Sequence, residues 1–202
     1  MCNKYLLLLT FSILLFSCKK DGTPPPVVKS TLKDSLTGTW NFISERVENF
    51  YEDTYVSDSD IYRYTINTGY LSRTARGRLI IDAGIFRYDS TEHTVDSVAI
   101  YTTYHNGILE DSTTAPIQGS VQVANYSAPY TLPGTDSIHL SEGIQIIDGV
   151  ISPVAPTGYN IRWSGDTLLL VSQSSSNIDT IKDGVLESVN QFYIQTRKYV
   201  KQ

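Results

Sequence analysis

The thiol of Cys18 is the side chain whose chemistry is clearest. It closes the run Leu15-Phe16-Ser17-Cys18, at the end of an apolar stretch that starts near Tyr5 and follows the basic Lys4. About a dozen apolar residues are too few to span a bilayer. A small residue before a cysteine suits a signal peptidase that leaves the thiol free to carry a thioether-linked lipid. Residues 1–17 are therefore expected to be a lipoprotein signal peptide and Cys18 the lipid attachment, with Phe16 bulkier than the small residue usual at its place. The other cysteine, Cys2, leaves with the signal, so the mature chain has no pair from which to build a disulfide.

The remaining candidates for chemistry converge poorly. His93, His105 and His139 lie far apart and lack the Cys or carboxylate spacing of a zinc site, so they read as solvent-facing residues of strands and turns. Asp58-Ser59-Asp60 places two carboxylates on one face of an extended segment, but the glycine and distal Glu of a calcium loop are missing. The run Glu52 to Asp60 reads as a polar loop. There is no Gly-x-Ser-x-Gly, and Ser172 to Ser176 reads as a solvated loop. Glu45, Glu48, Glu110, Glu142 and Glu187 would have to meet in pairs to act as acid and base, which spacing alone does not arrange. The expectation is a chain with no catalytic residues, no metal and no cofactor.

Composition sets the frame for these residues. Removing the signal takes Lys4 from the count and moves the net charge of the 202-residue chain from −5 to −6, which disfavours nucleic acid as a partner. After Cys18 comes Lys19-Lys20-Asp21-Gly22-Thr23-Pro24-Pro25-Pro26, a charged, proline-rich stretch that reads as an extended tether over residues 18–31. Residues 32–202 then form one domain, long enough for a real core.

From about Thr39 the text alternates, with Tyr, Val, Ile and Thr in short runs and Gly, Asn, Asp or Ser between them. This predicts antiparallel strands near residues 38–50, 61–68, 77–82, 85–90, 94–105, 108–113, 118–126, 136–147, 157–163, 166–173, 177–182 and 188–200. Tyr159, Ile161 and Trp163 share one face of a hairpin that turns at Ser164-Gly165-Asp166. Asn106-Gly107, Asp148-Gly149 and Asp183-Gly184 predict further tight turns. One helical turn is expected over Thr31 to Leu36. Two architectures fit, an antiparallel up-and-down β-barrel or a two-sheet β-sandwich.

The segment Leu36-Thr37-Gly38-Thr39-Trp40-Asn41-Phe42 resembles the opening of lipocalin-like domains, with a helical turn, a Gly-x-Trp and a long first strand. Arg78 to Tyr88 resembles their early hairpin, Tyr159 to Leu168 their late hairpin, and Phe192 to Val200 their closing strand. The resemblance implies a barrel whose end is closed by Trp40 beneath a basic side chain from near the chain's end. Arg197 is the match, with Lys198 as the adjacent alternative because one residue of register reverses the face. The long C-terminal helix of well-studied lipocalins has no counterpart here.

The functional expectation is a non-catalytic, lipid-anchored lipoprotein of the cell envelope, binding a small apolar or glycan-like ligand. A protein-interaction or scaffold module of the outer membrane is the alternative, and an envelope enzyme ranks after it. Lys19 rather than Asp after Cys18 points to the outer membrane, facing the periplasm or the surface, and the early charged segment with abundant Tyr, Ser and Thr resembles lipoproteins of Bacteroidota. The fourteen tyrosines offer apolar area with a hydroxyl at the tip, suited to an amphipathic ligand. Tyr101 and Thr103 fall opposite Val98, Ile100 and Thr102, so only one of these sets faces inward.

Overall fold

Alternating β-branched and aromatic residues favour a pleated, half-buried surface, and the described residues form almost nothing else. A computed structural model describes residues 31–123, 125–147, 150–154, 157–182 and 185–202. The expected signal peptide, Cys18 and all but the last residue of the expected tether lie outside these, as do the turns expected at Asp148-Gly149 and Asp183-Gly184. A short helix, α1 (Leu32–Leu36), leads into twelve strands. These are β1 (Gly38–Ser57), β2 (Asp60–Leu71), β3 (Ala75–Ile81), β4 (Ile85–His105), β5 (Ile108–Val123) and β6 (Tyr126–Thr131). There follow β7 (Ser137–Leu140), β8 (Gly143–Ile147), β9 (Val150–Val154), β10 (Thr157–Ser164), β11 (Thr167–Lys182) and β12 (Val185–Lys201). Helix α1 exists for a local reason. Thr31 caps it by accepting from the Asp34 N–H, while the Asp34 carboxylate accepts from the Thr31 N–H, and Leu36 turns into the core.

Eight strands close a ring in the order β1-β3-β4-β6-β7-β10-β11-β12 and back to β1, every neighbour antiparallel. The order follows the chain, and the β1–β12 pairing closes a circuit that a two-sheet sandwich lacks. Four ring strands outrun the ring. The far halves of β11, β12, β1 and β4 continue past it and, with β2 between β1 and β4 and β5 on the outer edge of β4, make an open six-stranded sheet. Among the described residues, β8 and β9 pair only with each other.

Several expected loops are strand. Glu52 to Asp60 is not a polar loop: β1 runs to Ser57, reverses at Asp58-Ser59, and β2 begins at Asp60. Ser172 to Ser176 pair with Gln195 to Gln191 inside β11. The segments expected at 85–90 and 94–105 are one strand, β4, because a bulge at Ser90 (φ 52°) absorbs the break in alternation. Opposite it stands Gly77 at φ 103°, where an added Cβ would lie 2.4 Å from the Ser90 carbonyl oxygen, so only glycine fits. The expected turn at Asn106-Gly107 is present, both residues at positive φ, and Ser164 pairs with Thr167 across the predicted hairpin turn.

The ring's interior is filled by its own side chains. Phe42, Leu79, Ile81, Phe86, Ile138, Leu140, Ile161, Leu168, Leu170 and Tyr199 are buried there, with Leu36 and Trp40 at one end. Asn41, Arg78, Arg87, Asn160, Arg162 and Lys198 occupy the intervening outward positions. Apolar inside and polar outside is the reverse of the alternation of a strand that spans a membrane. No helix among the described residues is long and apolar enough to cross a membrane.

Candidate functional site

Three places hold the chemistry, and β1 passes through all of them. At the closed end of the ring, Trp40 is buried, donates from Nε1 to the Leu36 carbonyl at 2.8 Å, and meets Trp163 at 5.7 Å between centroids. The cation over its ring is Lys201, with Nζ 5.1 Å from the centroid. Arg197 is not the closing residue, and Lys198 points outward to solvent. The register explains the correction: Trp40 pairs with Lys201, four residues beyond Arg197 on β12. Lys201, Tyr199 and Arg197 share a face, so parity permitted Arg197 and only the register chose Lys201. An open groove beside this cap is lined by Ser35, Trp40, Trp163, Asp166 and Lys201.

At the other end of the core sits a buried ion pair. Arg197 pairs with Glu45 across β1 and β12, and its Nε donates to Glu45 Oε2 at 2.6 Å. Gln195 donates to the same oxygen at 3.0 Å and the Tyr70 hydroxyl to Oε1 at 2.7 Å. Arg197 Nη1 also donates to the Tyr88 hydroxyl at 2.6 Å, with the guanidinium 5.2 Å from that ring. His93, stacked on Tyr70, brings Nε2 to 3.3 Å from Glu45 Oε1 without the alignment of a hydrogen bond. Burial alone would raise the Glu45 pKa. The Arg197 charge and the surrounding donors outweigh it and hold the carboxyl well below the usual range. Burial, Glu45 and its hydrogen bond raise the Tyr70 phenol, and burial followed by Glu45 pushes Tyr193 up to about 12. Glu45 is thus held as an anion with both oxygens engaged, an arrangement that organises the core.

Sequence reading named Glu45 only among carboxylates that would have to meet in pairs, and placed His93 in solvent. Two bulges are the cause: the one between Phe42 and Ser44 shifts the inward set of β1 from Trp40 and Phe42 to Glu45 and Val47, and the one at Ser90 shifts that of β4 from Phe86 and Tyr88 to His93 and Val95. Strict alternation would have turned Ser44 and Arg46 inward.

Beyond the ion pair the interior face continues onto the open sheet. Following the register from Glu45, it carries Val47, Asn49, Tyr51, Asp53 and Tyr55 on β1, and Tyr70, Thr68, Ile66, Tyr64 and Tyr62 on β2. It adds Tyr193 and Gln191 on β12 with Ala99, Tyr101, Thr103 and His105 on β4. Half of the fourteen tyrosines are therefore on one face: Tyr51, Tyr55, Tyr62, Tyr64, Tyr70, Tyr101 and Tyr193. The question of which set of β4 faces inward is settled for Tyr101 and Thr103, since Val98 and Ile100 are exposed on the opposite side. At the tip, Tyr55, Tyr62 and His105 stack in a row, with centroid spacings of 4.9 and 4.6 Å and nearly parallel planes. Tyr64 and Tyr101 form the next row at 6.4 Å.

The other expected residues are dispersed. His105 lies at the tip between Asp60 and Glu110, each 3.3 Å from one ring nitrogen, and His139 is exposed on β7. Glu48 is outward with Arg46 at 2.8 Å. Among the described residues no group of three His, Cys, Asp or Glu side chains is placed to hold a metal.

No protein-family model matches the sequence, and no curated protein matches it. Solved structures of Ail, the attachment invasion locus protein of Yersinia pestis, align at 8% identity, over 80% of this chain and 99% of that one. The TM-score is 0.22 for the complex with the heparin analogue sucrose octasulfate and 0.21 for Ail alone. Similarity that faint carries no argument about this chain, whose ring rests on its own strand pairing.

Proposed function

We propose that this chain is a non-catalytic lipoprotein of the cell envelope, anchored in the outer membrane through Cys18. Its ring acts as a lipocalin-like barrel, and its open sheet holds a glycan-like ligand. The Gly-x-Trp opening under a basic cap and the chain-order meander support the barrel reading, with Lys201 in the role the resemblance gave to Arg197. The tyrosine face is the observation that carries the binding reading. Rings on a pleated surface provide apolar area, and their hydroxyls with Asn49, Thr68 and Gln191 provide hydrogen bonds, the combination a polyhydroxylated molecule needs. A small apolar guest inside the ring is a poorer fit, because buried side chains occupy that space.

Two experiments test this reading. Full-length protein presented to an array of envelope and plant glycans retains at least one class, and Tyr64→Ala with Tyr101→Ala abolishes retention; an array left empty rejects the binding reading. Replacing Cys18 with Ala releases the protein from membranes or stalls its processing, and unchanged membrane retention rejects the anchor. The scaffold alternative draws on one specific feature. Among the described residues, Ser172 to Lys182 of β11 pair only with β12, and the other edge of that segment could accept a partner strand.

A further inference from the structure

Outward side chains are polar on the ring and turn apolar on the open sheet. Of the fourteen large hydrophobic side chains exposed among the described residues, eight lie on the face of this sheet opposite the tyrosines. Val56 pairs with Ile61 on one side and Leu186 on the other, and Leu186 pairs with Ile181, so four strands carry one aliphatic row at the tip. Its side chains are 38% to 77% exposed. Nearer the ring, Phe192, Phe50 and Ile100 lie in one cross-strand row with Asn67, the two phenylalanines half-buried and Ile100 exposed. Gly69 leaves a notch in this relief. It lines two open grooves, one of about 380 Å³ against Phe50, Asn67 and Phe192 and one of about 310 Å³ against Arg46 and Leu71. An exposed apolar patch of this extent marks a surface that a partner covers.

We infer that the partner is a second copy of this chain, packed back to back through the same face. Size favours it: six strands about 4.8 Å apart, rising about 3.3 Å per residue from Arg46 to Val56, outline roughly 900 Å², and a standard stable interface takes about 800 Å² from each partner. Charge favours it as well. The face carries both signs in pairs, Arg46 with Glu48 at 2.8 Å and Arg63 with Glu52 at 3.9 Å. A two-fold axis sets such a face against itself and offers an arginine to each glutamate. A lipid surface would instead strip water from Glu48 and Glu52 and return nothing. Asp179, on the edge strand β11, falls at the rim, which stays wet. Stacking two sheets face to face gives each apolar row an opposing layer and leaves the tyrosine face of both copies open.

The test is sedimentation equilibrium of the full-length protein in density-matched neutral detergent, over about 0.1 to 100 µM. A monomer–dimer equilibrium is expected, with a Kd of about 1 µM or tighter. Ile100→Asp places a charge within the face and weakens association about a hundredfold. Leu71→Asp repeats the test at a side chain 62% exposed, where folding is least at risk. Ile178→Asp makes the same change on the tyrosine side of β11 and leaves association unchanged. Circular dichroism checks that each variant is folded. A monomer at every concentration overturns the proposal and leaves a lipid surface as the cover. A dimer that survives both Ile100→Asp and Leu71→Asp, or that Ile178→Asp weakens as much, runs through another surface, such as the outer edge of β11, and overturns it too. Glycan retention by the tyrosine face stands or falls separately from each of these results.

Discussion

The two halves of β1 lie in one strand and meet opposite fates. From Trp40 to Val47 its inward side chains are buried in the ring, whereas from Asn49 to Tyr55 the same face is half-buried to exposed. The strand does not change; its surroundings do. In the ring the circuit of β3, β4, β6, β7, β10, β11 and β12 places a wall opposite every inward residue, so apolar side chains there exclude water completely. On the open sheet the described residues form one layer, and the residues suited to it are tyrosines, amphipathic enough to pack with cross-strand neighbours while remaining wet. The comparison teaches that stability is concentrated in the ring and surface chemistry in the extension, with the Glu45–Arg197 pair at the boundary.

The most severe way to break this division is to empty the ring. Phe86→Ala is expected to cost about 3–5 kcal/mol, read as a lower midpoint in urea, while Tyr64→Ala on the extension costs about 1 kcal/mol or less. Equal losses would mean that the two regions form one cooperative core. Next comes Glu45→Gln, which leaves the Arg197 charge buried and uncompensated and costs about 3–5 kcal/mol. Its pH signature is specific. The folded carboxyl titrates below its unfolded value of about 4.3, so the pair stabilises fully above that value and loses its contribution as the pH falls toward the folded one. Acid unfolding of Glu45→Gln should therefore show a shallower slope below about pH 4.3 than that of the wild type. Gly77→Ala, forced into a positive φ against the Ser90 carbonyl, should cost more than about 1 kcal/mol by the same urea measurement. Smallest is Lys201→Ala at the closed end, about 0.5–1 kcal/mol, accompanied by a shift in tryptophan emission that Arg197→Met does not reproduce. Hydrogen exchange sharpens the same contrast: amides of Leu168 to Leu170 should outlast those of Ile178 to Thr180 by orders of magnitude.

Much of the fold was legible because the side-chain period of a strand is short and local. The run Tyr159-Asn160-Ile161-Arg162-Trp163 shows its buried face directly, and Asn106-Gly107 names its own turn. The strand joins were less legible. Ser90 breaks the alternation of β4, and without Gly77 opposite it that break reads as a loop. The polar run after Glu52 looked solvated because its hydrogen-bond partners, β2 and β12, lie elsewhere in the chain. Of the site, the tyrosines were visible as a composition and their common face was not, since a face is fixed by parity counted from a bulge.

The sequence by itself determined that the chain is antiparallel β, that a helical turn precedes Gly38, and that aromatic residues with hydroxyls dominate the strands, because these follow from periodicity, capping and residue type. Tertiary structure decided which strands close on one another, which cation covers Trp40, and that Glu45 meets Arg197 in the core. Each of those depends on register between segments more than a hundred residues apart, and a shift of one residue exchanges the inside of a strand for its outside.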